Sequence, residues 1–382
     1  MTRQRHVTTT LFDATEALAV AKHHGASSPS EALEIGHRAL EIATRLGDPA
    51  LIGRAHVLIG GPSGSLGKID EAIAHCEQAI AYAEKAGTAP SPVAFGRLAL
   101  AVHHRGDDVA ALHWTERAEQ VAAAQHAEEA VLMARWVRAT ALLGLGRYQE
   151  AWNILDSIAT VGRGEETFWH ARVPNTYGAI LAEACLYERA LERDLESLEV
   201  ARKLAARPVR EVEVQALLNT ATDRLGLGRL ADARADLEAV RRQAGEIEYA
   251  RFRWVTRLHV LDAELALAED QPERALASAD SCLLLANKHG QPRYVVRGSI
   301  ANARALAAAG KKTAAVREAR SAAALAETSG FVGLAWRAWW AASQISNAAA
   351  DRQQAEEALA RAALGFDEPL RTGFLRAAPV SR

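Results

Sequence analysis

Arg257, Arg297 and Arg337 stand 40 residues apart, and Arg54 and Arg172 occupy the same register of a longer pattern. A guanidinium is planar, permanently charged and carries five N–H donors in a fork that fits a carboxylate or a phosphate. A row of them at one register has two readings. It is a wall that grips an anionic guest, or a set of interhelical ion pairs with Glu or Asp on a neighbouring second helix. Val93, Met133 and Gln215 hold the register where arginine does not. Three and seven residues along the same helical line lie Val260 and Glu264, Ile300 and Arg304, Trp340 and Gln344. Glu264 is the expected partial neutraliser within its own unit. Tryptophans cluster beside arginines in "ARWVRA", "RFRWVTR" and "AWRAWW", giving Trp136, Trp254, Trp336, Trp339 and Trp340, with Trp169 in "FWHARV". They are either packing between hairpins or an Arg–aromatic lining of a groove. The candidate binding residues are therefore Arg172, Arg257, Arg297, Arg304, Arg337, Trp136 and Trp340.

Other chemistry is poorly supported. "GGPSGSLGK" (Gly60 to Lys68) resembles a phosphate-binding loop, but that motif needs Gly-x4-Gly-Lys-[Ser/Thr] after a strand. Pro62 stands in place of the first Gly and Ile69 in place of the hydroxyl residue, so an inter-helix loop is expected. His23-His24 and His103-His104 are adjacent pairs, and helical neighbours point about 100° apart. Neither pair makes a chelating face, even with His113 nearby, and no metal is expected. Cys76, Cys185 and Cys282 form no CxxC and read as small buried thiols in reduced form. No Ser-His-Asp, Cys-His or paired-carboxylate set stands out. The expectation is a non-enzyme that needs no cofactor.

The elements that would position the arginines are written as a repeat. "GLGRYQEAW" (Gly144 to Trp152) returns as "GLGRLADAR" (Gly226 to Arg234). The same frame places an Ala at 32, 72, 111, 151, 190, 233, 275, 315 and 355, with spacings of 39 to 43 residues. Each unit reads as a helix that stops at a Gly able to go left-handed, a short polar turn, and a second helix that opens on an acidic or amide residue. Gly67, Gly106, Gly146, Gly228 and Gly310 mark five of these turns. Ser27, Cys185, Asp270 and Ala350 replace the Gly in the others. Twelve residues before the junction Ala, a second small column reads Ala99, Ala139, Gly178, Ala221, Ala263, Ala303 and Ser343. Two small columns at fixed register let antiparallel helices pack closely. A period near 40 residues is the signature of a solenoid.

These positions resemble the tetratricopeptide repeat (TPR): a small residue at repeat position 8, Gly at 15, "[YL]-x-[ED]-A" through 20, and a mostly small residue at 27. The last column is Ala39, Ala79, Ala118, Ile158, Ser197, Val240, Cys282, Ala322 and Ala362. The resemblance covers roughly residues 11 to 365. The period departs from the usual 34, and most units lack the closing Pro. The long-period form is similar to the sensor solenoid of bacterial STAND-type and LuxR-type regulators. The tail "GFDEPLRTGFLRAAPV" (Gly365 to Val380) resembles their closing helix. The resemblance implies that the arginine register, repeat position 2, faces a concave groove. The first hairpin opens near Leu11, leaving no room for the ATPase and effector modules of those regulators. The chain reads as a free-standing solenoid or a fragment of a larger regulator.

Composition agrees. The 382 residues are 49% hydrophobic but only 5% aromatic, dominated by Ala and Leu, which favours packed helices. A net charge of −2 gives no global basic surface, so no direct nucleic-acid binding is expected. No apolar run is long enough to span a membrane, no signal peptide stands at the start, and a cytoplasmic location is expected. The expected fold is all-α, a right-handed solenoid of about nine hairpins over residues 1–365, with a capping helix and tail over 366–382. The expected function is a scaffold that binds a protein or peptide, an acidic one among them, in its concave groove. The alternative is a sensor of a small anionic effector in a signalling or transcription-regulatory system.

Overall fold

A computed structural model describes residues 28–160, 167–204, 207–243 and 246–381. Among them every regular element is helical. In chain order the α-helices are α1 (Pro29–Leu46), α2 (Pro49–Ser65), α3 (Ile69–Lys85), α4 (Pro92–His104), α5 (Asp108–Ala124), α6 (Glu128–Gly144), α7 (Tyr148–Ala159), α8 (Phe168–Glu183) and α9 (Tyr187–Lys203). They continue as α10 (Arg207–Gly226), α11 (Leu230–Gln243), α12 (Arg251–Ala268), α13 (Pro272–Lys288), α14 (Pro292–Ala308), α15 (Lys312–Thr328), α16 (Val332–Ser346), α17 (Ala349–Ala363) and α18 (Leu370–Ala377). Successive helices pack as hairpins: α2 with α3, α4 with α5, α8 with α9, α10 with α11, α12 with α13, α14 with α15 and α16 with α17. Helix α1 falls where the second arm of the first expected hairpin was read; the residues expected to open that hairpin, with His23, His24 and Ser27, lie outside the described residues.

The junction columns explain why these segments pair. All nine junction alanines are buried at 1% exposure or less. Ala99, Ala139, Ala221, Ala263 and Ala303 are fully buried. Small residues at both crossing points let two helix backbones approach closely and exclude water. The turns follow the same economy. Gly67, Gly106, Gly146, Gly228 and Gly310 all have φ between 71° and 92°. Where the sequence lacks Gly, Cys185 and Asp270 still adopt φ of 56°. Packing therefore imposes the left-handed turn even where the residue pays some strain for it. The ninth turn departs from the frame: its left-handed residue is Asn347, and Ala350 lies inside α17. Helix starts are helped by Pro49, Pro92, Pro272 and Pro292 at first positions, where no N–H is needed. Asp48 caps α2 by accepting from the backbone N–H of Ala50 and Leu51.

The described residues form two compact units. One comprises the chain up to Arg138 with Ile247–Arg251, and the other Ala139–Glu246 with Phe252–Arg382. In the first unit, Ala250 donates its N–H to the carbonyl of Ser65 at 2.9 Å, and Ser30 Oγ donates to Glu248 at 2.9 Å. In the second unit the end of the array meets its beginning. Tyr148 of α7 stacks on Phe366 with centroids 4.2 Å apart, and Gln149 N–H donates to the Gly365 carbonyl at 2.8 Å. Helix α18 closes this unit through Phe374, which is fully buried against Phe366 and edge-on to Trp336. No described helix is long and apolar enough to cross a membrane.

Candidate functional site

The arginine register lies on first helices of hairpins, and in the second unit four of its members fall into two polar clusters, Arg172 and Arg257 with Glu211 and Gln215, and Arg297 and Arg337 with Glu183. Arg172 on α8 is buried and forms an ion pair with Glu211, the residue at the start of α10. It also lies over the Phe168 ring, 5.0 Å from the centroid. Burial opposes the Glu211 charge, but Arg172 and Arg253 together outweigh it and hold the carboxyl below its ordinary range. Arg257 on α12 donates to the Leu218 carbonyl at 3.3 Å, to Thr222 Oγ1 at 3.1 Å and to Gln215 Oε1 at 3.5 Å. Gln215 holds the same register in the preceding hairpin, so neighbouring members of the column touch.

Arg297 on α14 and Arg337 on α16 share a single carboxylate. Arg297 Nη2 donates to Glu183 Oε1 at 3.0 Å, and Arg337 Nη1 donates to Glu183 Oε2 at 2.6 Å. Arg337 also reaches the Glu183 carbonyl at 3.2 Å and the Gly333 carbonyl at 2.5 Å, and its guanidinium lies 4.5 Å over the Trp336 ring. Burial works against the Glu183 charge, yet Arg337 and Arg297 outweigh it and keep the carboxyl below the usual range. Two cations against one anion leave this cluster with a surplus positive charge. Arg337 is well tied. Arg297 is 37% exposed and makes one hydrogen bond, so most of its fork still faces outward.

Glu183 is the residue that sequence reasoning missed. It occurs once, at the last position of α8, and nothing periodic marks it. The partners also differ in kind from those expected. Glu211 and Glu183 belong to first helices, not to second helices, and within its own unit Arg257 hydrogen-bonds to Gln215, Leu218 and Thr222 rather than to Glu264. The remaining candidates scatter. Arg304 is exposed on α14 and Arg54 exposed on α2. Trp136 is buried in α6 at 6% exposure, Trp254 is fully buried, and Trp340 is half-buried on α16. Trp339 donates its Nε1–H to Glu327 at 3.1 Å.

Two other sequence features resolve as structure. "GGPSGSLGK" is the end of α2 followed by a turn, and Lys68 pairs with Glu71 at 3.3 Å. His103 pairs with Asp108 at 2.6 Å, while three other histidines of the first unit, His37, His56 and His75, gather between α1, α2 and α3. His56 and His75 approach Nδ1 to Nδ1 at 2.7 Å, so one donates and the other accepts, with the His37 ring 5.9 Å from His75. Burial first, then His75 and His37, pushes the His56 imidazole down to about 4. No group of three or more His, Cys, Asp or Glu suited to a metal ion occurs among the described residues. The three cysteines are buried and unpaired.

No protein-family model matches the chain, and no curated protein matches it. Solved structures do. The apo form of the quorum sensor NprR from B. thuringiensis aligns with a TM-score of 0.60 at 15% identity, over 83% of this chain and 87% of that one. NprR in complex with its cognate peptide NprX aligns at 0.59 and 16%, over 72% and 78%. A Rap protein complexed with competence and sporulation factor aligns at 0.60 and 13%, over 97% of this chain and all of that one. The fold is a TPR-like α-solenoid. At these identities the likeness concerns the path of the helices.

Proposed function

We propose that this chain is a peptide-binding helical scaffold whose first helices carry the binding face, and that the Arg297 side of the Glu183 cluster receives an acidic group of the guest. The observation that carries the first part is the likeness, over nearly the whole chain, to a Rap protein solved with competence and sporulation factor, supported by NprR solved with its cognate peptide. Curved repeat arrays offer long continuous surfaces to extended ligands. The second part rests on the charge surplus. One carboxylate serves two guanidinium groups, and Arg297 keeps free forks beside it. A carboxylate from a peptide terminus or from Asp or Glu would complete the pairing by charge-assisted hydrogen bonds.

The test is selection of a random short-peptide library on the immobilised chain, followed by calorimetric titration of the enriched peptides into the native protein and an Arg297→Gln variant. The expected result is convergence on acidic peptides that bind at least about tenfold more weakly to the variant, the order lost with one charge-assisted contact. Failure to enrich any peptide would overturn the peptide reading. Enriched peptides without an acidic group, bound equally by both proteins, would overturn only the role given to Arg297.

A further inference from the structure

Three helices of the second unit meet around two carboxylates that the binding face does not use. Asp194 projects from α9 and Asp223 from α10, and both are fully buried at 0% exposure. Asp194 Oδ1 accepts from Asn219 Nδ2 at 2.7 Å and from Asn175 Nδ2 at 3.4 Å. Among the described residues no N–H or hydroxyl reaches Asp194 Oδ2 or either oxygen of Asp223. The two carboxyls are instead within hydrogen-bond reach of each other. Asp194 also presses on the bare backbone of α8: a Cβ at Gly178 would stand 2.1 Å from its Oδ2. That is why the small column carries Gly here when five of its other members are alanine.

An ionised carboxylate taken out of water without donors is very costly, and two in contact are worse. The charges around them do not balance without a proton. Facing the pair are Arg257 from α12, Arg224 from α10 and Asp236 from α11, while α8 contributes only the neutral Asn175 and Gly178. Arg224 is spent on Asp236, to which it donates at 2.5 Å, and Asp236 also accepts from Thr220 Oγ1 at 2.7 Å. Exposed Asp232 beyond it is screened by solvent. Arg257 gives its hydrogen bonds to neutral acceptors. Three acids against two arginines leave one negative charge, and one bound proton cancels it.

We propose that Asp194 and Asp223 hold one proton between them, an acid–carboxylate pair that locks α8, α9 and α10 together and comes apart when the proton is lost at mildly alkaline pH. The proton sits on the line between the two carboxyls and satisfies an oxygen of each. Burial is the main reason that both groups are pushed above the ordinary carboxylate range. The neighbouring Asp223 adds to the effect on Asp194, and Asn219 and Arg257 offset only part of it. Asp223 is pushed up to about 8. The sign follows. The folded pair binds a proton that the unfolded chain, with carboxyls near pH 4, releases. Its stabilisation is complete at acid pH, declines as the pH rises above about 4, and is gone once the folded pair has titrated. The joint so affected carries Arg172 and Glu183 of the candidate site.

Urea unfolding of the full chain from about pH 5 to about pH 9 tests this, with Asp223→Asn as reference. Asn has the shape of the protonated acid and donates an N–H to Asp194 at every pH. Relative to the variant, the unfolding constant of the native protein is expected to rise by about tenfold per pH unit up to about pH 8 and to level off above it. Parallel pH profiles for the two proteins would overturn the proposal. Infrared difference spectra of the native protein give an answer that does not depend on the variant folding. A protonated-carboxyl C=O band is expected at about pH 7 and lost by about pH 10, because only a carboxyl with a strongly raised pKa titrates there. Its absence at neutral pH would overturn the shared proton.

Discussion

Glu183→Gln is the substitution that weighs most on the candidate site. Gln keeps the shape of Glu but has one acceptor oxygen and no charge. If that oxygen stays with Arg337, the amide group turns toward Arg297 and meets it donor to donor. One charge-assisted bond is lost outright, worth about 1.5–3 kcal/mol, and the other falls to a neutral-acceptor bond, a loss of about 1 kcal/mol. Arg337 retains the carbonyls of Glu183 and Gly333, and Arg297 is 37% exposed and turns toward water, so the sum is discounted. The net expectation is a destabilisation of about 2–3 kcal/mol, read from urea unfolding of the full chain followed by tryptophan fluorescence. The same variant should strengthen capture of acidic peptides, because two guanidinium groups then lack a carboxylate. The pH dependence has a definite sign. Arg337 and Arg297 outweigh burial and hold the Glu183 carboxyl below its ordinary range, so its contribution is present above about pH 4 and is lost as pH falls through the folded value. Native protein and variant should therefore converge in acid. A variant within about 0.5 kcal/mol of native at neutral pH would refute the reasoning, since it would place these arginines in water rather than on Glu183.

Phe366→Ala removes a fully buried ring stacked on Tyr148 and should cost about 3–5 kcal/mol, measured by the same unfolding assay; a cost under about 1 kcal/mol would mean that the closure of the second unit carries little weight. Lys68→Ala should shift stability by less than about 0.5 kcal/mol and leave nucleotide affinity unchanged in an ATP titration, since Lys68 is a half-exposed turn residue paired to Glu71. The depressed His56 pKa means that its stabilising neutral form is fully present above about 6.5 and is lost as pH falls through about 4. His56→Gln should flatten the acid limb of the stability profile over that window, and an unchanged limb would count against the histidine contact. Far-ultraviolet circular dichroism should show a helical spectrum without a sheet component.

What could be read from the sequence is what repeats. Each hairpin packs on its neighbour through local contacts, so the same small residue is needed at the same register every 40 or so positions, and the junction alanines stand out in a single chain. The closing helix was legible only through the resemblance of the tail "GFDEPLRTGFLRAAPV", while the burial of Phe366 and Phe374 that fixes it is a fact of the packed structure. The left-handed turns at Cys185 and Asp270 were also legible, but only by register, since neither residue favours that conformation. The arginine column was visible as a row of charges, while its chemistry was not. Glu183 meets arginines 114 and 154 residues further along the chain, and Asp194 meets Asp223 at the crossing of three helices. Such pairings depend on how far the second unit winds before its ends meet. That winding is the sum of small rotations between hairpins, and each rotation is set by how neighbouring side chains interlock. A period in the sequence states that hairpins stack; only the packed structure decides which distant charges the stack brings face to face.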